Sequence, residues 1–95
     1  MTGPHHEDVG GELRTELTAG PGGAMTREVG VITGDVTLAT VRLPDGRIQV
    51  RIQYTGAEEW YELDGSPLPP PPGGAAAVHT AAVEAVRGGG AATLT

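Results

Sequence analysis

Cysteine, lysine, asparagine and phenylalanine are all missing from this chain of 95 residues. Without cysteine, disulfide bonds, thiolate catalysis and cysteine-ligated zinc or iron–sulfur centres are excluded. No run of about 18 apolar residues is present, so no segment is expected to span a membrane. The first residues carry neither a basic start nor an apolar stretch, so no signal peptide is expected and a cytoplasmic location is predicted.

Basic residues are few, and the charge balance is acidic. All six basic residues are arginine, and the formal net charge is −6. Because an acidic chain repels phosphate backbones and anionic lipid surfaces, general binding to nucleic acid or to membranes is disfavoured.

Large apolar side chains are scarce, but they are concentrated in one segment. Leu, Ile and Val contribute only 19 residues, whereas 24 residues are Gly or Pro, a composition close to that of disordered chains. Residues 27–63 nevertheless hold 14 large apolar or aromatic residues and only five of the 24. One small folded module is therefore predicted there, and residues 1–26 are predicted to be a disordered or loosely structured tail. Met25 directly precedes the module, and a start of translation at Met25 would make residues 1–24 dispensable for folding.

The middle segment has the pattern of antiparallel β-structure. Apolar and polar residues alternate strictly over residues 47–54, which is the period of a half-buried strand. A second strand is predicted over 36–43, and two flanking strands over 27–33 and 58–63. The segment is therefore predicted to form a four-stranded antiparallel meander.

The connection Pro44-Asp45-Gly46 predicts a tight hairpin, because Pro presets φ, Asp caps the turn and Gly accepts a positive φ. A three-residue loop would pair Leu43 with Arg47 and would leave the strand before it partly covered on both faces. A two-residue loop would pair Leu43 with Ile48, but it would place Pro44 opposite Arg47, where a ladder hydrogen bond is lost. The three-residue loop is favoured.

The C-terminal third predicts a linker followed by a helix. Residues 64–74 are rich in Pro and Gly, and the run Pro69–Pro72 is expected to act as an extended spacer rather than as a polyproline ligand. Residues 75–87 are strong helix formers with a narrow apolar stripe. Because so short a helix is marginal alone, we expect it to pack on the sheet. The predicted fold class is therefore α+β, with a small antiparallel sheet and one C-terminal helix.

No catalytic, metal or cofactor motif is evident. His5-His6-Glu7-Asp8 offers ligand chemistry, but adjacent side chains on a loose tail converge only at a large entropic cost. The remaining histidine, His79, has no partner base at a recognisable spacing, so a packing or surface role is expected. The sequence therefore predicts no enzyme, no cofactor and no metal site.

A polar strand face and the aromatic residues are the candidates for partner binding. Arg47 and Arg51 share one face of a strand, and Tyr54, Trp60 and Tyr61 are all the aromatic residues of the chain. Trp60 and Tyr61 are adjacent in a strand, so only one of them is expected to enter the core, and both residue types are favoured interface anchors.

These five residues predict a small accessory or regulatory protein that binds a protein partner through its sheet. A homodimer formed through a sheet edge is also expected from the open meander. The alternative is a module for single-stranded nucleic acid, in which Arg47 and Arg51 contact phosphates and the aromatic residues stack on bases. The plainest interpretation is the ordinary polar face of a one-sided sheet, with the aromatic residues covered by the helix and the proline run.

Overall fold

The computed structural model describes the backbone of residues 7–9 and 11–94 and the side chains of residues 11–94. This part of the chain contains seven strands and one helix. They are β1 (Glu7–Val9), β2 (Glu12–Thr18), β3 (Ala24–Thr26), β4 (Gly30–Ile32), β5 (Asp35–Arg42), β6 (Ile48–Tyr54), β7 (Tyr61–Glu62) and α1 (Gly74–Gly88).

The strands form a five-stranded antiparallel sheet in the order β1-β2-β5-β6-β7, and β3 and β4 form a separate hairpin. Helix α1 contributes buried side chains to the same core as the sheet. The predicted α+β class, an antiparallel sheet with one C-terminal helix, is confirmed. No helix in the described part of the chain is long and apolar enough to cross a bilayer.

The hairpin between β5 and β6 has the favoured register. Leu38 lies opposite Ile52, and the N–H of Leu43 donates to the carbonyl oxygen of Arg47 at 2.8 Å. Gly46 takes a φ of 92°, which closes the three-residue loop. Five consecutive residues of β5 are buried, so this strand is covered on both faces, as the register predicts.

Strand β2 corrects the prediction for the N-terminal segment. Thr15 lies opposite Leu38, and Leu17 lies opposite Val36, so β2 occupies the edge of β5 where the sequence predicts residues 27–33. The prediction of a loose tail is wrong for residues 7–9 and from residue 11 onward, because β1, β2 and β3 lie in that segment. Residues 1–6 lie outside the described residues.

The two outer strands of the predicted meander are shorter than expected and meet each other. Only Gly30–Ile32 of the first becomes strand β4, which pairs with β3, and only Tyr61–Glu62 of the last becomes β7. The N–H of Arg27 donates to the carbonyl oxygen of Glu62 at 3.0 Å. The edge of β7 is therefore occupied within the chain, and a homodimer through that edge would have to displace residues 24–27.

The core lies between α1 and the inner face of the sheet, and each fully buried Val, Leu or Ile there contributes about 1.5–3 kcal/mol. The helix spans one residue more at each end than predicted, and Val78, Ala82 and Val86 of its stripe are buried. The linker returns the chain to the sheet, since the N–H of Leu68 donates to the carbonyl oxygen of Ile48 at 3.0 Å. The buried apolar cluster comprises Ala24, Ile32, Val36, Leu38, Ile48, Val50, Ile52, Leu63, Val78, Ala82, Val83, Val86 and Ala92.

Candidate interaction face

Because side chains alternate along a strand, residues next to the core positions of the sheet point away from α1. We call this surface the outer face. It is formed by Glu12, Arg14 and Glu16 on β2, by Thr37 and Ala39 on β5, and by Gln49, Arg51 and Gln53 on β6.

One row of paired residues crosses the middle of the outer face. Ala39 lies opposite Arg14 on one side and opposite Arg51 on the other, and Glu62 lies opposite Arg51 on β7. Ala39 is 0% exposed, so larger side chains cover it. The small residue at the centre of the row leaves room for the two flanking arginines to converge.

A single carboxylate bridges these two arginines. The Nε of Arg14 donates to Glu12 Oε1 at 2.6 Å, and the Nη2 of Arg51 donates to Glu12 Oε2 at 3.2 Å. The side chain of Glu12 is only 13% exposed, so these charges interact with less screening than a fully solvated pair.

The indole ring of Trp60 lies against both of these arginines. The guanidinium carbons of Arg14 and Arg51 lie 5.3 Å and 5.2 Å from the centroid of the Trp60 ring, within the range of a cation–π interaction. We call the four residues Glu12, Arg14, Arg51 and Trp60 the arginine–tryptophan cluster. Both arginines are held against the indole in the free protein.

Tyr61 lies on the other side of the strand from this cluster. It pairs with Ile52, and its ring packs against the buried core. Its hydroxyl donates to Glu59 Oε1 at 2.8 Å, and this bond to a carboxylate is the main reason why the pKa of Tyr61 is raised above 10.0.

Arg47 and Tyr54 are not part of the cluster. Arg47 is exposed beside the hairpin loop, where its Nε donates to Asp45 Oδ2 at 2.8 Å. The backbone N–H of Arg47 also donates to Asp45, and this bond is the largest cause of the lowered pKa of Asp45. Tyr54 is 42% exposed at the end of β6. Of the five residues predicted for partner binding, only Arg51 and Trp60 therefore lie together.

The sequence-based prediction of the site does not include Glu12 and Arg14, because they lie in the segment that is predicted to be a tail. A signal was present, since Leu13, Thr15 and Leu17 alternate with polar residues at the period of a strand. Leu13 and Leu17 also have helical spacing, and glycine pairs flank the segment, which obscured the pattern.

A polar groove adjoins the cluster on the outer face. Its volume is about 450 Å³, within the size range of small-ligand sites. The hydroxyls of Thr37 and Thr55 lie 2.9 Å apart, and Gln53 Nε2 donates to the carbonyl oxygen of Ala57 at 2.9 Å. The groove is lined by Arg14, Thr15, Glu16, Thr37, Gln53, Thr55 and Gly56.

No metal site is visible among residues 11–94, because no three His, Asp or Glu side chains there converge so that they could hold an ion. The motif His5-His6-Glu7-Asp8 lies outside the residues whose side chains the structure describes.

Comparison of the chain with protein-family models, with curated proteins and with solved structures finds no match in any of the three.

Proposed function

We propose that this protein is a small non-enzymatic accessory or regulatory protein that binds a protein partner through the outer face of its sheet. The observation that carries the proposal is the convergence of Arg14, Arg51 and Trp60 beside a groove of about 450 Å³. Tryptophan and arginine are the residue types most enriched among the energetic hot spots of protein interfaces.

The cluster is also well ordered before any partner arrives. Immobilising a long side chain on binding costs about 0.5–1.5 kcal/mol, and Glu12 already holds both guanidiniums at 2.6 Å and 3.2 Å. A partner that docks on Trp60 therefore loses little further side-chain entropy on this side of the interface. Tyr61 supports the face indirectly, because its ring anchors the neighbouring position of β7 to the core.

Affinity capture with the tagged full-length chain, followed by reconstitution with the purified partner, tests the proposal. Trp60→Ala and Arg14→Ala should each weaken binding of the reconstituted partner at least about tenfold, the usual loss at a hot spot. Arg87→Ala is the matched control, because Arg87 is an exposed arginine in the last turn of α1.

The proposal fails if variants on the outer face that keep the native circular dichroism spectrum bind the partner as tightly as the wild type does.

Binding to single-stranded nucleic acid has less support. Arg51 is already bonded to Glu12, Arg47 is bonded to Asp45, and the Trp60 ring is contacted by guanidiniums. Retention on a nucleic-acid column at low salt that is lost in Arg51→Ala would favour that alternative.

A further inference from the structure

We propose that the outer face recognises one carboxylate of its partner, an Asp or Glu side chain on an extended segment, which bonds to Arg14 in the polar groove. This inference rests on the proposed function and adds the chemistry of the partner. It is argued from the charge of the cluster, from the position of Arg14 and from the lining of the groove.

The cluster holds more hydrogen-bond donors than acceptors. Among the side chains of residues 11–94, Glu12 is the one carboxylate that bonds to Arg14 and Arg51, so one carboxylate is shared by two guanidiniums. Glu62 lies opposite Arg51 but bonds to Gln49 and Ser66. Arg51 Nε is buried and has no hydrogen-bond partner in this part of the chain. Because this nitrogen is buried, a partner cannot bond to it, and recognition has to use Arg14, which lines the groove.

Arg14 is the more exposed of the two arginines. Its side chain is 42% exposed, and it lines the groove. Its hydrogen bond to Glu12 uses Nε, and a guanidinium carries further N–H groups at its two terminal nitrogens. A carboxylate in the groove can therefore bond to Arg14 while the bond to Glu12 persists.

The rest of the groove selects for a single negative charge. Glu16 is exposed and lines the same groove, so it repels a multiply charged group more strongly than a single carboxylate. Thr55 and Gln53 contribute uncharged polar atoms that suit the backbone of an extended segment. One acidic side chain flanked by uncharged residues fits these charges better than a run of phosphates does.

Glu12 opposes an incoming carboxylate, because its negative charge repels that group and partly neutralises the Arg14 guanidinium to which it would bond. Replacing Glu12 by glutamine removes its charge and keeps its shape. If the groove recognises a carboxylate, Glu12→Gln should therefore bind the partner more tightly. If Glu12 only maintained the fold, Glu12→Gln would weaken binding of the partner instead.

The single tryptophan of the chain lies in the cluster, so its fluorescence reports directly on this site. The probe is a capped peptide of serine and threonine with one central glutamate, and its matched control has a central glutamine. A third peptide has the central glutamine and a free C-terminal carboxylate. At constant ionic strength, the glutamate peptide should bind about fivefold more tightly than the capped glutamine peptide.

Three variants sharpen the assignment. Arg14→Gln should abolish the preference for glutamate, and Arg14→Lys should restore part of it because the charge is kept. Glu12→Gln should tighten binding of the glutamate peptide by about twofold to fivefold. Arg47→Gln should change nothing, because Arg47 is bonded to Asp45 outside the groove.

Equal binding of the two capped peptides, or no measurable binding of the glutamate peptide to either the wild type or Glu12→Gln, overturns the inference. Equal binding of the free-terminus peptide moves the recognised group to a chain end and overturns the assignment to a side chain. A reconstituted partner that needs Trp60 but shows no response to Glu12→Gln would leave the proposed function intact and remove only this inference. A partner that is indifferent to Trp60 and Arg14 would remove the proposed function itself.

Discussion

Thr15 and His79 lie 64 residues apart in the chain, and Thr15 Oγ1 and His79 Nε2 form a buried hydrogen bond of 2.8 Å. The other ring nitrogen, Nδ1, lies 2.7 Å from Thr40 Oγ1. His79 is 1% exposed, so its ring is a polar group inside an apolar core and depends on these bonds. The pair ties the N-terminal strand β2 to the C-terminal helix.

Thr15→Val should lower the free energy of unfolding by about 1–3 kcal/mol. The methyl group that replaces the hydroxyl fills the same space, but it cannot bond to the buried imidazole of His79. Urea unfolding monitored by circular dichroism measures the change. Thr18→Val is the matched control on the same strand, since the hydroxyl of Thr18 bonds to Asp35 at an exposed position. It should change stability by no more than about 0.5 kcal/mol. An equal loss in the two variants would contradict the assigned role of Thr15.

A chain that starts at Met25 should fail to fold cooperatively. The deletion removes β2, a central strand that pairs with β5 along six residues, and it also removes the buried Thr15. Strand β5 would then lose one of its two neighbouring strands, and the hydrogen-bonding edge that β2 covers would be exposed. A thermal melt by calorimetry should show no sharp transition for the shortened chain. A melt equal to that of the full chain would support the hypothesis that residues 1–24 are dispensable for folding.

Gly20→Ala should destabilise the fold by at least about 2 kcal/mol. The N–H of Gly20 donates to the carbonyl oxygen of Val86 at 2.9 Å, and a Cβ at Gly20 would overlap the carbonyl oxygen of Arg87. The chain must therefore move away from the end of α1. Gly88→Ala is the control in the same region, because nothing lies within 4 Å of a Cβ there. It should leave stability within about 1 kcal/mol of the wild type or raise it.

The pKa of Tyr61 should lie above 10.0 and should fall towards that value in Glu59→Gln, because the hydrogen bond to the Glu59 carboxylate favours the protonated phenol. The ultraviolet absorbance of tyrosinate during a pH titration measures it, in a Tyr54→Phe background that leaves one tyrosine. A raised folded-state pKa means that the contribution to stability is complete below pH 10 and is lost as the pH rises through the folded value. An unchanged pKa in Glu59→Gln would contradict this cause.

The hairpin and the helix are the parts of the fold that local sequence predicts well. Pro44-Asp45-Gly46 specifies its turn through the backbone preferences of three adjacent residues, and the alternation over residues 47–54 specifies which side chains of β6 face the core. The apolar stripe of residues 75–87 likewise predicts the buried face of α1. Each of these signals lies within a few residues, so it can be interpreted without knowing the rest of the chain.

Strand β2 has a weaker local signal, because its middle inward position holds Thr15 instead of an apolar residue and glycines flank the segment closely. The buried hydroxyl of Thr15 is bonded by His79, which reaches it from the helix. The arginine–tryptophan cluster also depends on segments that are distant in the sequence, since Arg14 and Arg51 converge only when both flank Ala39 in the sheet. The candidate site was therefore predicted in part, through Arg51 and Trp60.

The sequence alone determined the α+β class, the β5–β6 turn with its register and the apolar face of the helix, because these depend on local backbone preferences and on short periods. Tertiary structure alone decided which strand covers the free edge of β5, because two segments of similar length competed for it. β2 also brings Thr15 to His79 and Arg14 to Trp60. Strand pairing is decided by burial and hydrogen bonding summed over distant segments, and no local pattern contains that sum.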